Sequence, residues 1–154
     1  MPAPDVETTA ASTIKLGVIT LGAGLITGAW ELVALQVPGS PLYIGILPGP
    51  IGALRELCIT LGLLVLAAGA LVPRAYDAAS ARRARVASML IAAGAALTFV
   101  AQAYGAAHGM HGVQMSDLRA DARAVFFVRH GGLAIFALGW SDLGLRLLRR
   151  PSAT

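Results

Sequence analysis

Apolar residues in this chain run in long blocks, much longer than a globular strand or a core-facing helix stripe needs. Four blocks of about 22 residues stand out, at 16–37, 51–72, 86–107 and 124–145. They contain few ionisable groups. Glu31 lies in the first, Arg55 and Glu56 open the second, the third has none, and the fourth holds Arg129, His130 and Asp142. At 1.5 Å per residue, each block crosses a hydrocarbon core of roughly 30 Å. Lipid offers the backbone no hydrogen-bonding partners, so each block is expected to be a helix that satisfies itself. The pattern predicts an all-α integral membrane protein: a four-transmembrane-helix bundle forming one domain over 14–148, with polar tails at 1–13 and 149–154.

Between the first two blocks, "VPGSPLYIGILPGP" carries no charge and brackets an apolar core with four prolines. Proline forbids a continued helix and glycine permits tight turns. The 38–50 segment is expected to lie along the membrane surface or to dip between the helices. Small residues supply the expected helix contacts: Gly24 and Gly28 in the first block, Gly62, Ala67, Gly69 and Ala70 in the second, Ala92, Gly94 and Ala96 in the third. "ALRELCITLG" and "FVRHGGLAIF" echo one another, each with an arginine followed by a second ionisable residue. That echo fits two helical hairpins related by a parallel pseudo-repeat.

Composition agrees. Hydrophobic residues make up 56% and charged residues 13%, whereas soluble domains run near roughly 25% charged. The start "MPAPDVETTAAST" carries Asp5 and Glu7 where a signal peptide has basic residues, and the apolar run after it is too long for one. A single cysteine, Cys58, rules out an intrachain disulfide and reads as a small core residue.

A pI near 10.0 suggests nucleic acid at first sight, but the placement of the charges argues against it. Lys15, Arg74, Arg82, Arg83, Arg85, Arg146, Arg149 and Arg150 all fall on one side of a four-pass topology. On the other side, 38–50 is uncharged and Arg119 and Arg123 are balanced by Asp117 and Asp121. This positive-inside pattern predicts both termini in the cytoplasm and no nucleic-acid partner. Aromatic rings fit the same frame, with Trp30, Tyr43 and Tyr104 at the outer boundary and Tyr76 and Trp140 at the inner one. Eleven arginines to one lysine, with abundant alanine and glycine, point to a GC-rich bacterial gene and hence to a bacterial inner membrane. The lipid bilayer is the expected partner, with a homo-oligomer or a larger membrane complex compatible with such short, glycine-rich spans.

Within that frame the polar residues converge on the outer third. Glu31, Arg55, Glu56, Gln102, Tyr104, His108, Arg129 and His130 come to similar depths from all four helices. A charge in hydrocarbon costs about 2.5–3.5 kcal/mol even on the gentler insertion scale. Such groups are therefore expected to face one another or a watery vestibule, forming a pocket for a small ligand, an ion or a partner subunit. A purely structural ion-pair network is the plainer alternative. A carboxylate with a histidine, from Glu31, Glu56 and His130, could instead serve an enzyme acting on a lipid-soluble substrate. No nucleophile, zinc-protease, P-loop or redox motif supports that reading.

A third candidate is the loop "HGMHGVQM", where His108, Met110, His111 and Met115 are ligand types that suit copper or another soft metal. Its spacing matches no strong metal signature. Haem is not expected, because His108 and His130 differ in depth by roughly 5–10 Å. Asp142 and Arg146, four residues apart, read as a surface pair near the inner interface. Four short helices in about 150 residues also resemble the plan of DoxX-like and MAPEG-type membrane proteins, a resemblance of architecture without a motif of either.

Overall fold

The computed structural model describes residues 5–36, 48–108 and 120–149. These form four helices, α1 (Val6–Gln36), α2 (Pro48–Ala75), α3 (Ala81–Ala107) and α4 (Ala120–Arg149), with a short 3-10 turn at Ala78–Ser80. There is no strand among the described residues. All four helices are long and apolar enough to cross a membrane, as the blocks predict.

The helices are longer than the blocks, at 31, 28, 27 and 30 residues. At the N-terminus, residues 6–13 were expected to be a polar tail, yet they are helical. Asp5 accepts a hydrogen bond from the Thr8 amide at 2.6 Å, satisfying an end donor as an N-cap does. The Thr9, Ser12 and Thr13 hydroxyls donate to carbonyls one turn back. Their polarity is thus absorbed within the helix, and Thr9, Ala10 and Thr13 are buried. Pro48 and Pro50, expected in a loop, open α2, where no amide proton is required of the first turn. Arg82, Arg83 and Arg85 likewise belong to the first turns of α3. The turn before them is closed by a capping box: Asp77 Oδ1 accepts from the Ser80 amide at 2.9 Å, and the Asp77 amide donates to Ser80 Oγ at 3.0 Å.

The chain folds as two antiparallel hairpins, α1 with α2 and α3 with α4. Glycine sets how closely each hairpin closes. A Cβ on Gly17 would lie 2.5 Å from the Leu66 backbone nitrogen, and one on Gly62 would lie 2.5 Å from that of Leu21. Gly24 faces Ile59 and Gly69 faces Ile14, so one register runs along the whole seam. In the second hairpin Gly94 meets Phe136 and Gly132, Gly132 meets Thr98, and Gly139 meets Ile91. Small residues let the backbones approach until dispersion contacts form, where lipid supplies no hydrophobic drive. Ala70 and Ala96, read as contact residues, face outward instead.

The two hairpins join through a core that includes Val65, Val72, Ala75, Tyr76, Ala84, Ile91, Phe136 and Leu143, in the middle and at the termini end of the bundle. Cys58 is buried in α2. Trp140 packs against this core, and its buried indole nitrogen has no partner among the described residues. Large apolar residues such as Ile19, Ile26, Leu63, Val100, Phe127 and Leu138 are exposed on the outside of the bundle, the arrangement a lipid-facing surface requires.

Candidate functional site

Away from the termini, each hairpin carries one polar pair of the same design. In the first, Arg55 Nη1 donates to Glu31 Oε2 at 2.5 Å. In the second, Arg129 Nη1 donates to Gln102 Oε1 at 3.5 Å. The supporting turn repeats as well. Thr27, four residues before Glu31, donates to the Ala23 carbonyl at 2.7 Å. Thr98, four residues before Gln102, donates to the Gly94 carbonyl at 2.8 Å and lies 3.5 Å from the Arg129 carbonyl. The short echo between "ALRELCITLG" and "FVRHGGLAIF" therefore marks two equivalent positions, with glutamate in one hairpin and glutamine in the other.

That exchange changes the electrostatics. Arg55 is neutralised by Glu31, whose side chain is only 14% exposed. Gly28 leaves room for the arginine, since a Cβ there would meet Arg55 Cδ at 2.9 Å. Arg129 is half-buried and has only an amide oxygen at long range. Among the described residues it forms no ion pair.

Other residues expected at this site are turned away from it. Glu56 is 76% exposed on its side chain and only grazes Arg55 at 3.8 Å. His130 is exposed; its Nδ1 lies 2.8 Å from the Phe126 carbonyl and its ring rests on Phe126. His108 caps the end of α3, stacks on the exposed Tyr104 ring at 4.0 Å and places Nδ1 2.9 Å from the Tyr104 carbonyl. In each case an i, i+4 contact along the helix satisfies the ring. No described contact joins Glu31 or Glu56 to His130, or either glutamate to Arg129. The polar residues thus meet within hairpins, where a single cross-bundle network was expected.

At the opposite end lies a cluster that sequence reading took for a surface pair. Asp142 of α4 does not form its ion pair with Arg146. Arg83 of α3 grips it, with Nε at 3.0 and 3.1 Å from the two carboxylate oxygens and Nη2 donating as well. Tyr76, just past α2, donates its hydroxyl to Asp142 Oδ2 at 2.8 Å. Burial and the Asp142 carboxylate push the Tyr76 phenol above its ordinary range, so it remains a proton-bearing donor at neutral pH. Arg146 instead lies over the Tyr76 ring, 5.5 Å from its centroid. The turn after α2 and the helices α3 and α4 meet at one carboxylate. Tyr76→Phe is expected to lower stability by about 1 kcal/mol, the usual net worth of one such hydrogen bond, read by denaturant unfolding followed by circular dichroism. The available signal was an acidic residue near the end of an apolar span, facing an arginine one hairpin turn away.

Met110, His111, Met115, Tyr43 and residues 38–47 of the uncharged segment between the first two blocks lie outside the described residues. Among those described, no group of three histidine, cysteine, aspartate or glutamate side chains could hold a metal ion. Comparison with known protein families, curated proteins and solved structures gave no match.

Proposed function

We propose that this small membrane protein, with both termini in the cytoplasm of a bacterial cell, binds a small acceptor-bearing ligand, such as a carboxylate or a carbonyl compound, at Arg129 and Gln102 in the outer third of the bilayer. One observation carries this reading: the half-buried guanidinium that no carboxylate among the described residues neutralises, in the position where the other hairpin has a closed ion pair. A guanidinium offers five donors in a planar fork. Among the described residues one of these donors has a partner, at long range, and the Gln102 side-chain nitrogen adds two more donors. A charge left uncompensated at this depth is costly. A ligand oxygen placed between the guanidinium and the amide lowers that cost, and a bidentate carboxylate does so best. Glu31 with Arg55 then acts as the fixed, neutral counterpart in the first hairpin.

The contacts favour binding over proton-transfer chemistry. Glu31 is engaged by Arg55, while His130 is directed to its own helix. The arginine asymmetry along the chain supports the orientation.

The test compares wild-type protein with Arg129→Gln by native mass spectrometry after release from mild detergent. A small-molecule adduct is expected on the wild type and at least tenfold less of it on the variant. The variant should fold with undiminished stability, because it removes an uncompensated charge. An adduct-free wild type, together with a destabilised variant, would make the pair structural and overturn the proposal.

A further inference from the structure

A separate feature lies at the termini end, independent of Arg129. Where α2 gives way to α3, the turn and the last two turns of α4 enclose an open cavity of about 450 Å³ lined by Asp77, Ser80, Arg83, Asp142, Arg146 and Arg149, among others. Positions 142, 146 and 149 follow the i, i+4, i+7 spacing of one helix face. The carboxylates of this cavity already have donors of their own. Arg83 is spent on Asp142, and the Asp77 carboxylate accepts from both the amide and the hydroxyl of Ser80. Arg146 is held over the Tyr76 ring. Among the described residues, neither Arg146 nor Arg149 forms an ion pair. Two guanidinium groups, that of Arg146 held over a ring and that of Arg149 exposed, therefore line a concave site whose own carboxylates are otherwise occupied.

From this geometry we infer that the cavity is a binding site for the phosphodiester head group of an anionic phospholipid. Two guanidinium forks match the non-bridging oxygens of a phosphodiester, each by paired N–H donors. The surroundings favour a lipid over a soluble anion. Leu145 lines the cavity and is half exposed, and Leu148 beside it is almost fully exposed. They offer an apolar path from the head group along the outside of α4. Basic pockets between helices at this level of a membrane are the kind of place where anionic head groups settle.

The test is a native mass spectrometry titration of the full chain, purified in mild detergent, with phosphatidylglycerol, phosphatidylcholine and inorganic phosphate as probes. Phosphatidylglycerol is expected to bind in one or two discrete steps and phosphatidylcholine far more weakly. Millimolar inorganic phosphate should not displace the lipid. The double variant R146Q/R149Q should bind phosphatidylglycerol about thirtyfold more weakly, from roughly fivefold per arginine. R82Q/R85Q removes two exposed arginines of α3 that do not line the cavity, and should leave binding unchanged. Equal binding of the two lipids by wild-type protein would overturn the inference, and this comparison holds even if a variant fails to fold. Displacement by inorganic phosphate would reassign the cavity to a soluble anion. Equal losses in the two double variants would reduce the effect to general surface charge.

Discussion

Replacing Glu31 by leucine is expected to destabilise the folded protein by about 3 kcal/mol, while replacing Glu31 and Arg55 together is expected to restore most of that loss. The single change strands Arg55, whose side chain is 34% exposed, beside an apolar helix with no second carboxylate in good contact. Removing one member of a buried pair typically costs about 3–5 kcal/mol, because the survivor stays desolvated. The exposure of Arg55 places the cost at the lower end, since the long side chain can partly reach water or headgroups. Removing both members eliminates the desolvation problem and leaves apolar groups in an apolar setting. The measurement is a double-mutant cycle on unfolding free energies in mixed micelles. A coupling near zero would mean that the pair does not hold the hairpin, and Glu31 would become as available to a ligand as Arg129.

Gly94→Leu is expected to cost about 3 kcal/mol, and Gly131→Leu to cost nothing or to stabilise slightly. The two glycines sit on facing helices of the same hairpin, but only one faces its partner. A Cβ on Gly94 would collide with the Phe136 amide and the Gly132 carbonyl, neither of which can move without displacing α4. Overpacking of this kind costs about 1–3 kcal/mol when side chains can adjust, and backbone cannot. Gly131 has nothing within 4 Å of its Cβ direction. There a leucine restores about 1 kcal/mol of helix propensity at no steric expense. Both variants can be followed by circular dichroism through thermal unfolding. Loss of stability at Gly131 would show that its face is covered, as it would be by a second copy of the chain.

The same contrast explains what could be read in advance. Gly24, Gly28, Gly62, Gly69 and Gly94 were recognisable as contact residues because small residues in an apolar helix favour close approach, although Gly22 and Gly131 show that a glycine there can also face open space. Ala70 and Ala96 were read the same way but face outward, since alanine suits a helix on any face. At the polar sites, depth was legible while direction was not. Glu31 and Arg55 are at matching depths and do meet; Arg129 and His130 are also at matching depths, yet adjacent residues on a helix point about 100° apart. One enters the hairpin and the other lies on Phe126. Asp142 was paired with Arg146 by sequence proximity, whereas the fold brings Arg83 to it from 59 residues away.

By itself, then, the amino-acid sequence determined the number of helices, their rough limits, the all-helical class and part of the surfaces of closest approach, with Gly17, Gly132 and Gly139 supplied by the structure. It could do so because hydrophobic length and glycine placement act locally, along one chain segment at a time. Only the tertiary structure decided which polar groups are neutralised. It closed Glu31 on Arg55, left Arg129 with an amide, and gathered Tyr76 from the turn after α2 with Arg83 of α3 and Asp142 of α4. The physical reason is that an ion pair depends on helix rotation and on interhelical register to within an ångström or two, and both are set by packing across the bundle.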